Sequence, residues 1–253
     1  MTRSLESKTA LVTGASGGIG RAIAQRLGAA GATVAVHFNS GEDRAGETVD
    51  LIEQAGGEAF ILQADLTSVA SIGALFDQLD AGLAERGRSG LDILVNNAGQ
   101  GNGASITDID EALFDHIVAS NMKSAFFVTR AALPRIPNGG RIISLSSMVS
   151  VSATPQGIVY SLAKAALNAF TRSLAAELGP RQISVNAIAP GATDTALMAP
   201  IMADPAMATW IEQMTAMGRM AHPDEIAAVA FFLASEGGWI TGQTIQASGG
   251  MHL

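Results

Sequence analysis

Seven short apolar runs recur along the chain, each separated from the next by a longer stretch whose apolar residues fall at helical spacing. They are Ala10 to Thr13, Thr33 to Phe38, Ala59 to Gln63, Ile93 to Val95, Arg141 to Leu145, Ile183 to Ile188 and Thr244 to Gln246. Their length and β-branched content predict strands, and the lack of polar alternation predicts strands covered on both faces. Strand and helix in alternation give an α/β fold with a doubly wound parallel sheet of about seven strands, its hand set by right-handed crossovers. Local signals mark helix ends. Asp108 with Glu111 reads as a capping box, Pro223 suits the first turn of a helix through Leu233, and Pro134 and Pro180 close two others.

Composition adds limits. With 253 residues and 48% hydrophobic content the chain can bury a full core, and residues 1–253 are expected to form one domain. The 28 Gly and 8 Pro are scattered, so no linker or repeat divides it. A net charge of −8, with 15 dispersed Lys and Arg, argues against a nucleic-acid partner. Zero cysteines exclude disulfides and thiolate chemistry, and the four histidines are not at ligand spacing, so no metal is expected. The amino terminus is polar before it becomes apolar, and no apolar run approaches a membrane span. A soluble, cytoplasmic protein is the expectation.

Three separated strings carry the candidate chemistry: TGASGGIG from Thr13 to Gly20, NNAG from Asn96 to Gly99, and Tyr160-Ser-Leu-Ala-Lys164 with Ser147 thirteen residues upstream. In the first, Gly14, Gly18 and Gly20 fall between a strand and a helix, where missing side chains let backbone approach a pyrophosphate and the helix N-terminus offers N–H donors. Such a turn can also be purely structural; its position and the NNAG downstream favour the nucleotide. Tyr160 and Lys164, four apart on a helical stretch, share one face. An ammonium there favours the phenolate, which would lower the phenol pKa and make Tyr160 a usable general acid/base. Tyr160 is the only tyrosine in the chain.

Together these strings resemble the short-chain dehydrogenase/reductase family, over almost the whole chain from Lys8 to Ser248-Gly249-Gly250. The resemblance implies a Rossmann-type fold and a catalytic set of Asn121, Ser147, Tyr160 and Lys164. Ser147 would hold the substrate oxygen, with Ser146 as its competitor for that role. Asn121, placed on the fourth long helix, would anchor a water relaying protons to Lys164, or serve structure alone. For the cofactor the resemblance points to Gly14, Ser16, Gly18, Ile19 and Gly20 at the pyrophosphate, Asp65 and Leu66 at the adenine, and Asn97, Ala98 and Gly99 by the ribose. It adds Tyr160 and Lys164, and Pro190, Gly191, Thr193 and Thr195 on the nicotinamide side. Asp65 could equally cap a helix beginning near Thr67, and Asn97 to Gly99 could also stabilise the sheet.

Cofactor choice turns on the end of the second strand. An enzyme using NAD would usually offer an acid there, and Phe38 stands in its place, with Asn39, Ser40 and Arg44 able to bind a 2′-phosphate. NADP(H) is therefore preferred and NAD(H) possible, although Gly17 occupies the place of the cation that many NADP-using relatives carry in the turn. On this reading Phe38→Asp should shift preference towards NADH. Ala163 replaces the usual serine before the lysine. The segment from about 195 to 220 carries Leu197, Met198, Ile201, Met202, Met207, Trp210, Met214, Met217 and Met220, and reads as a variable substrate loop, either a mobile lid or an ordinary packed helix. Gln100 to Gly103 forms another possible pocket wall.

The leading reading is an NADP(H)-dependent carbonyl reductase resembling 3-oxoacyl-[acyl-carrier-protein] reductases. An alcohol, sugar or steroid dehydrogenase and a nucleotide-sensing regulator are the alternatives. The resemblance also implies a homotetramer, for which Ala125, Phe126, Thr129, Ala132 and Leu133 with Ala166, Ala169, Phe170 and Ser173 would supply apolar surface, unless they belong to the monomer's core.

Overall fold

All seven expected strands form: β1 (Thr9–Val12), β2 (Thr33–Phe38), β3 (Glu58–Gln63), β4 (Ile93–Asn96), β5 (Arg141–Leu145), β6 (Ser184–Pro190) and β7 (Thr244–Ala247). They make one parallel sheet in the order β3-β2-β1-β4-β5-β6-β7. The computed structural model describes residues 4–101 and 104–251. Asn102 and Gly103 of the expected pocket wall lie outside them.

Alternate residues of the central strands enter two cores, as the two-residue period of a strand requires. On one face Ala10, Val12, Val34, Val36 and Val95 pack against α1 (Gly18–Ala29), α2 (Glu42–Gln54) and α9 (Pro223–Ala234). On the other, Leu11, Ala35, Leu94, Ile142 and Val185 meet α3 (Val69–Ala84), α5 (Ser124–Ala132) and α6 (Ile158–Leu178). Every residue of β1, β2 and β4 is buried, which accounts for their largely apolar composition. Among the described residues no helix is long and apolar enough to cross a membrane.

Two local expectations change. Asp108 ends a short 3₁₀ turn and accepts a hydrogen bond from the Ser105 hydroxyl, while Asp110 caps α4 (Glu111–Val118) through the Leu113 N–H at 2.8 Å. The cap thus lies two residues later, because Asp110 directly precedes the first helical residue. The fourth long helix is also interrupted. Ala119–Lys123 forms a π turn between α4 and α5, and Asn121 sits within it.

Strand order reverses between β1 and β4, whose next neighbours β2 and β5 lie on opposite sides. Loops leaving those two carboxyl ends must diverge, and the crevice between them is where an open α/β sheet binds ligands.

Candidate active site at the carboxyl ends of the strands

The turn leaving β1 is shaped by its glycines. Gly14 and Gly18 have φ of 64° and 54°, where a side chain would be strained. A Cβ on Gly20 would lie 2.3 Å from the Gly14 carbonyl oxygen and 2.4 Å from Asn97 Nδ2. Gly17 is different: its backbone is extended and nothing lies within 4 Å of its Cβ position. It precedes α1 without a side-chain cap, so the first N–H groups of that helix remain available to an anion. Arg21 braces the turn by donating to the Ser16 carbonyl at 2.9 Å and to Thr48 Oγ1 at 3.0 Å.

NNAG forms the facing wall. The Thr13 hydroxyl accepts from the N–H groups of Asn97 (2.9 Å) and Ala98 (3.0 Å), joining the ends of β1 and β4. The Asn97 amide donates to the carbonyls of Thr13 and Gly14 at 2.8 and 2.9 Å. Its side chain is therefore committed to holding the turn. Sheet stabilisation, weighed above for this segment, is realised at Asn97.

Phe38 does not face the crevice. It is 2% exposed and packed in the core with Ala15 and Ala45, whereas Asn39 and Ser40 are exposed. Phe38→Asp would bury a carboxylate and destabilise the fold, so that position does not act as a simple cofactor switch. The Arg44 guanidinium lies against Gly41, close to this strand end. At the end of β3, Asp65 Oδ1 accepts from both the N–H and the hydroxyl of Thr67, at 2.9 and 2.7 Å, and these bonds hold its pKa below the usual carboxylate value. Ser68, rather than Asp65, caps α3. Leu66 is buried.

After β6, Pro190 still belongs to the strand, and Gly191 is pressed against Ser248, whose backbone would lie 2.9 Å from a Cβ. Thr193 is buried and donates to the Gly191 carbonyl; Thr195 donates to the Thr193 carbonyl and rests its methyl on Gly18. This loop thereby closes over the glycine-rich turn.

Two of the four proton-handling candidates, Asn121 and Lys164, meet beside Gly99. A Cβ there would lie 2.5 Å from Asn121 Oδ1 and 3.3 Å from Lys164 Nζ. The π turn lets the Asn121 amide donate to the carbonyls of Ile117 and Gln100, at 3.0 and 2.9 Å, while its Oδ1 is buried with no partner among the described residues. Lys164 is 4% exposed; Nζ donates to the Leu145 carbonyl at 2.8 Å, and burial pushes its pKa down to about 8. Ser146 is fixed in the core by donating to the Lys164 carbonyl, whereas Ser147 stands close enough to Tyr160 to act on its phenol. That division favours Ser147 over its neighbour.

One electrostatic expectation fails. Burial raises the Tyr160 pKa, opposed by Ser147. The ammonium stands 5.5 Å from the ring centroid, and burial of the phenol outweighs its pull on the proton. Tyr160 is thus a neutral phenol at pH 7, the form that gives a proton.

Beyond the site, Leu113, Ile117, Ile158 and Val159 form an apolar recess reaching Tyr160. The methionine-rich segment folds as α7 (Ala199–Met202) and α8 (Pro205–Met214). Only Ile211 of these helices is buried, while Leu197, Ile201, Trp210 and Met217 are exposed, so the packed-helix alternative does not describe it. Backbone bonds from Ala216 and Met217 to Gly250 and Gly249 anchor its end. Sequence reasoning missed Thr13 and Arg21 as braces, and His37, the one polar side chain inside β2 after Thr33. That break in an apolar strand was the available signal.

Sheet order, glycine-rich turn and buried lysine define a dinucleotide-binding α/β enzyme site. A family model described as enoyl-(acyl carrier protein) reductase matches residues 14–252. An uncharacterised oxidoreductase of Methylorubrum extorquens is 41% identical over 98% of this chain and 99% of its own, and 3beta-hydroxysteroid dehydrogenase 1 of Eggerthella lenta is 39% identical over 98% and 95%. The angucycline C-6 ketoreductase LanV, solved with bound NADP, is 44% identical, with a TM-score of 0.95 over 100% of this chain and 98% of that one. The chain belongs to the short-chain dehydrogenase/reductase family and is an oxidoreductase.

Two predictions follow from the geometry. Gly20→Ala should cost about 3 kcal/mol or more, because it forces a methyl onto backbone, whereas Gly17→Ala should leave the melting temperature nearly unchanged. Equal melting temperatures for the two variants would contradict the close approach. For Lys164, the unfolded chain retains a proton between pH 8 and the ordinary value of 10.5 that the folded protein lacks, so stability should rise with pH across this window. Thermal melts should show wild type gaining on Lys164→Met by up to about 3 kcal/mol there. A constant difference would mean that the ammonium is well solvated.

Proposed function

We propose that this enzyme is an NADP(H)-dependent carbonyl reductase acting on apolar, fused-ring ketones, with Asn121, Ser147, Tyr160 and Lys164 as its proton-handling groups. The observation carrying the reading is the buried Lys164 ammonium, 5.5 Å from the Tyr160 ring and pressed with Asn121 Oδ1 against Gly99, on the same strand ends as the glycine-rich turn. The residues present suit the dinucleotide: Gly14, Ser16, Gly18, Ile19 and Gly20 for the pyrophosphate, Asp65 and Leu66 for the adenine, Asn97 to Gly99 for the ribose side, and Pro190, Gly191, Thr193 and Thr195 for the nicotinamide side. Bound there, the nicotinamide supplies hydride to the carbonyl carbon.

The chain's own part is to hold the ketone and deliver a proton. Ser147 donates to the carbonyl oxygen as charge develops on it, and Tyr160 transfers its phenolic proton to that oxygen. Lys164 keeps a positive charge close to the phenol and favours the phenolate left behind. The unpartnered Asn121 Oδ1, adjacent to Lys164 Nζ across Gly99, suits a water through which a proton is restored.

The NADP preference is supported by exposed Asn39 and Ser40 with no carboxylate at the β2 end, and by the NADP held in LanV. NAD(H) remains a usable second cofactor. The substrate class is supported by the exposed Leu197, Trp210 and Met217, and by the angucycline and steroid named for two relatives. The steroid dehydrogenase also favours a second reading, oxidation of a secondary alcohol by the same groups in reverse. A cytoplasmic location is part of the proposal, supported by a chain without cysteines, which suits a reducing compartment.

Assembly as a homotetramer is part of the proposal. Ala125, Thr129 and Ala132 belong to the core, but Phe126 is 48% exposed and forms an aromatic cluster with Phe127 and Phe170. An apolar patch of this kind is covered economically by a two-fold partner.

Oxidation of NADPH and NADH, followed separately against polycyclic ketones, β-ketoacyl thioesters and sugars, tests the function; no turnover with any ketone would refute it. Tyr160→Phe should lower turnover by about 10²-fold or more while cofactor binding persists, and turnover within tenfold of wild type would remove Tyr160 from its role. Light scattering at micromolar concentration should give about four times the 25.9 kDa chain mass. A monomer would disprove the interface.

A further inference from the structure

We propose that His37 is a positioning residue for the dinucleotide: as a neutral imidazole protonated at Nε2, it locks the pyrophosphate turn to the adenine-side strand end. The inference rests on the cofactor reading above and concerns a residue that makes no contact with the reacting groups.

His37 lies in β2 and is 2% exposed. Its Nδ1 is 3.0 Å from the Gly14 N–H, and its Nε2 is 3.1 Å from the Ala64 carbonyl oxygen. The His37 backbone carbonyl accepts from the Ala15 N–H at 2.8 Å. One residue thus receives two consecutive N–H groups of the glycine-rich turn and reaches the residue directly before Asp65.

The partners dictate the tautomer. A backbone N–H can only donate, so Nδ1 must present its lone pair; a carbonyl can only accept, so Nε2 must carry the hydrogen. An imidazolium would set N–H against N–H at Gly14. Burial agrees, pushing the His37 pKa down to about 4 and keeping the ring neutral at pH 7.

Gly14 is the first left-handed residue of the turn, and the path of residues 15–20 depends on its orientation. Leaving its N–H unpaired in this part-buried setting costs on the order of a tenfold factor, which relaxation of the turn can recover only by giving up its shape. Cofactor affinity should therefore suffer when the ring is replaced. Chemistry at saturating cofactor should not, because Tyr160 and Lys164 stand on another element.

The test is direct titration of NADPH and NADH by calorimetry, with steady-state kinetics beside it. His37→Leu should raise both dissociation constants by about tenfold, with kcat nearly unchanged at saturation. His37→Gln, whose amide offers one acceptor and one donor, should recover most of the affinity. A Leu variant that folds and binds both cofactors within twofold of wild type would overturn the proposal, as would a Gln variant no better than Leu. Should the Leu variant fail to fold, ¹⁵N spectra of the wild-type imidazoles decide the matter without substitution: a protonated Nδ1 on His37 overturns the clamp, and a protonated Nε2 supports it. Wild-type protein that binds neither nucleotide would instead refute the underlying cofactor reading.

Discussion

The Lys164 ammonium, 4% exposed and given the Leu145 carbonyl at 2.8 Å, carries a desolvation cost that the neighbouring structure is arranged to tolerate. Gly99 must lack a side chain because a methyl would meet both Nζ and Asn121 Oδ1. The π turn brings Asn121 to that place, and Ser146 ties the lysine's own carbonyl to the end of β5. A lysine at this depth weakens the fold at neutral pH. Active sites commonly hold such groups, since a charge kept from water acts strongly on whatever binds beside it.

A second set of bonds explains why the crevice keeps its shape. Asn97, Arg21 and His37 all spend polar groups on the backbone of residues 13–16, and the Thr13 hydroxyl holds the backbone of Asn97 and Ala98. Backbone carbonyls of the turn are occupied from behind, while the Gly17 side and the uncapped start of α1 stay open. The cradle is consequently formed before any ligand arrives, so little ordering entropy is lost on binding.

Most of this was legible in the chain. Unbroken apolar runs such as Val34 to Val36 announced strands buried on both faces, and the register of Ser147 and Tyr160 located the site, because short-range spacing on strands and helices maps directly onto faces. Other features depend on contacts between distant segments. The π turn at Asn121 reflects bonds to Ile117 and Gln100, which no periodicity reports. Phe38 looked like a residue beside the ribose because sequence position locates the strand end without fixing which way a side chain points. The Tyr160 pKa departs from the sequence expectation for a related reason: helical spacing predicts proximity to Lys164, but burial of the phenol outweighs it.

Tyr160 is the only tyrosine in 253 residues, and it lies at the centre of the site. Any signal that belongs to phenol belongs to this one group. Fluorinated or isotopically labelled tyrosine supplied during growth enters the protein at a single atom set, and near-ultraviolet changes on phenol ionisation arise without background from other phenols. Reagents that nitrate or iodinate phenols have one such target as well. The protonation state of the proposed acid can therefore be followed in the unmodified sequence, during binding and turnover, by measurements that in most proteins require engineering first.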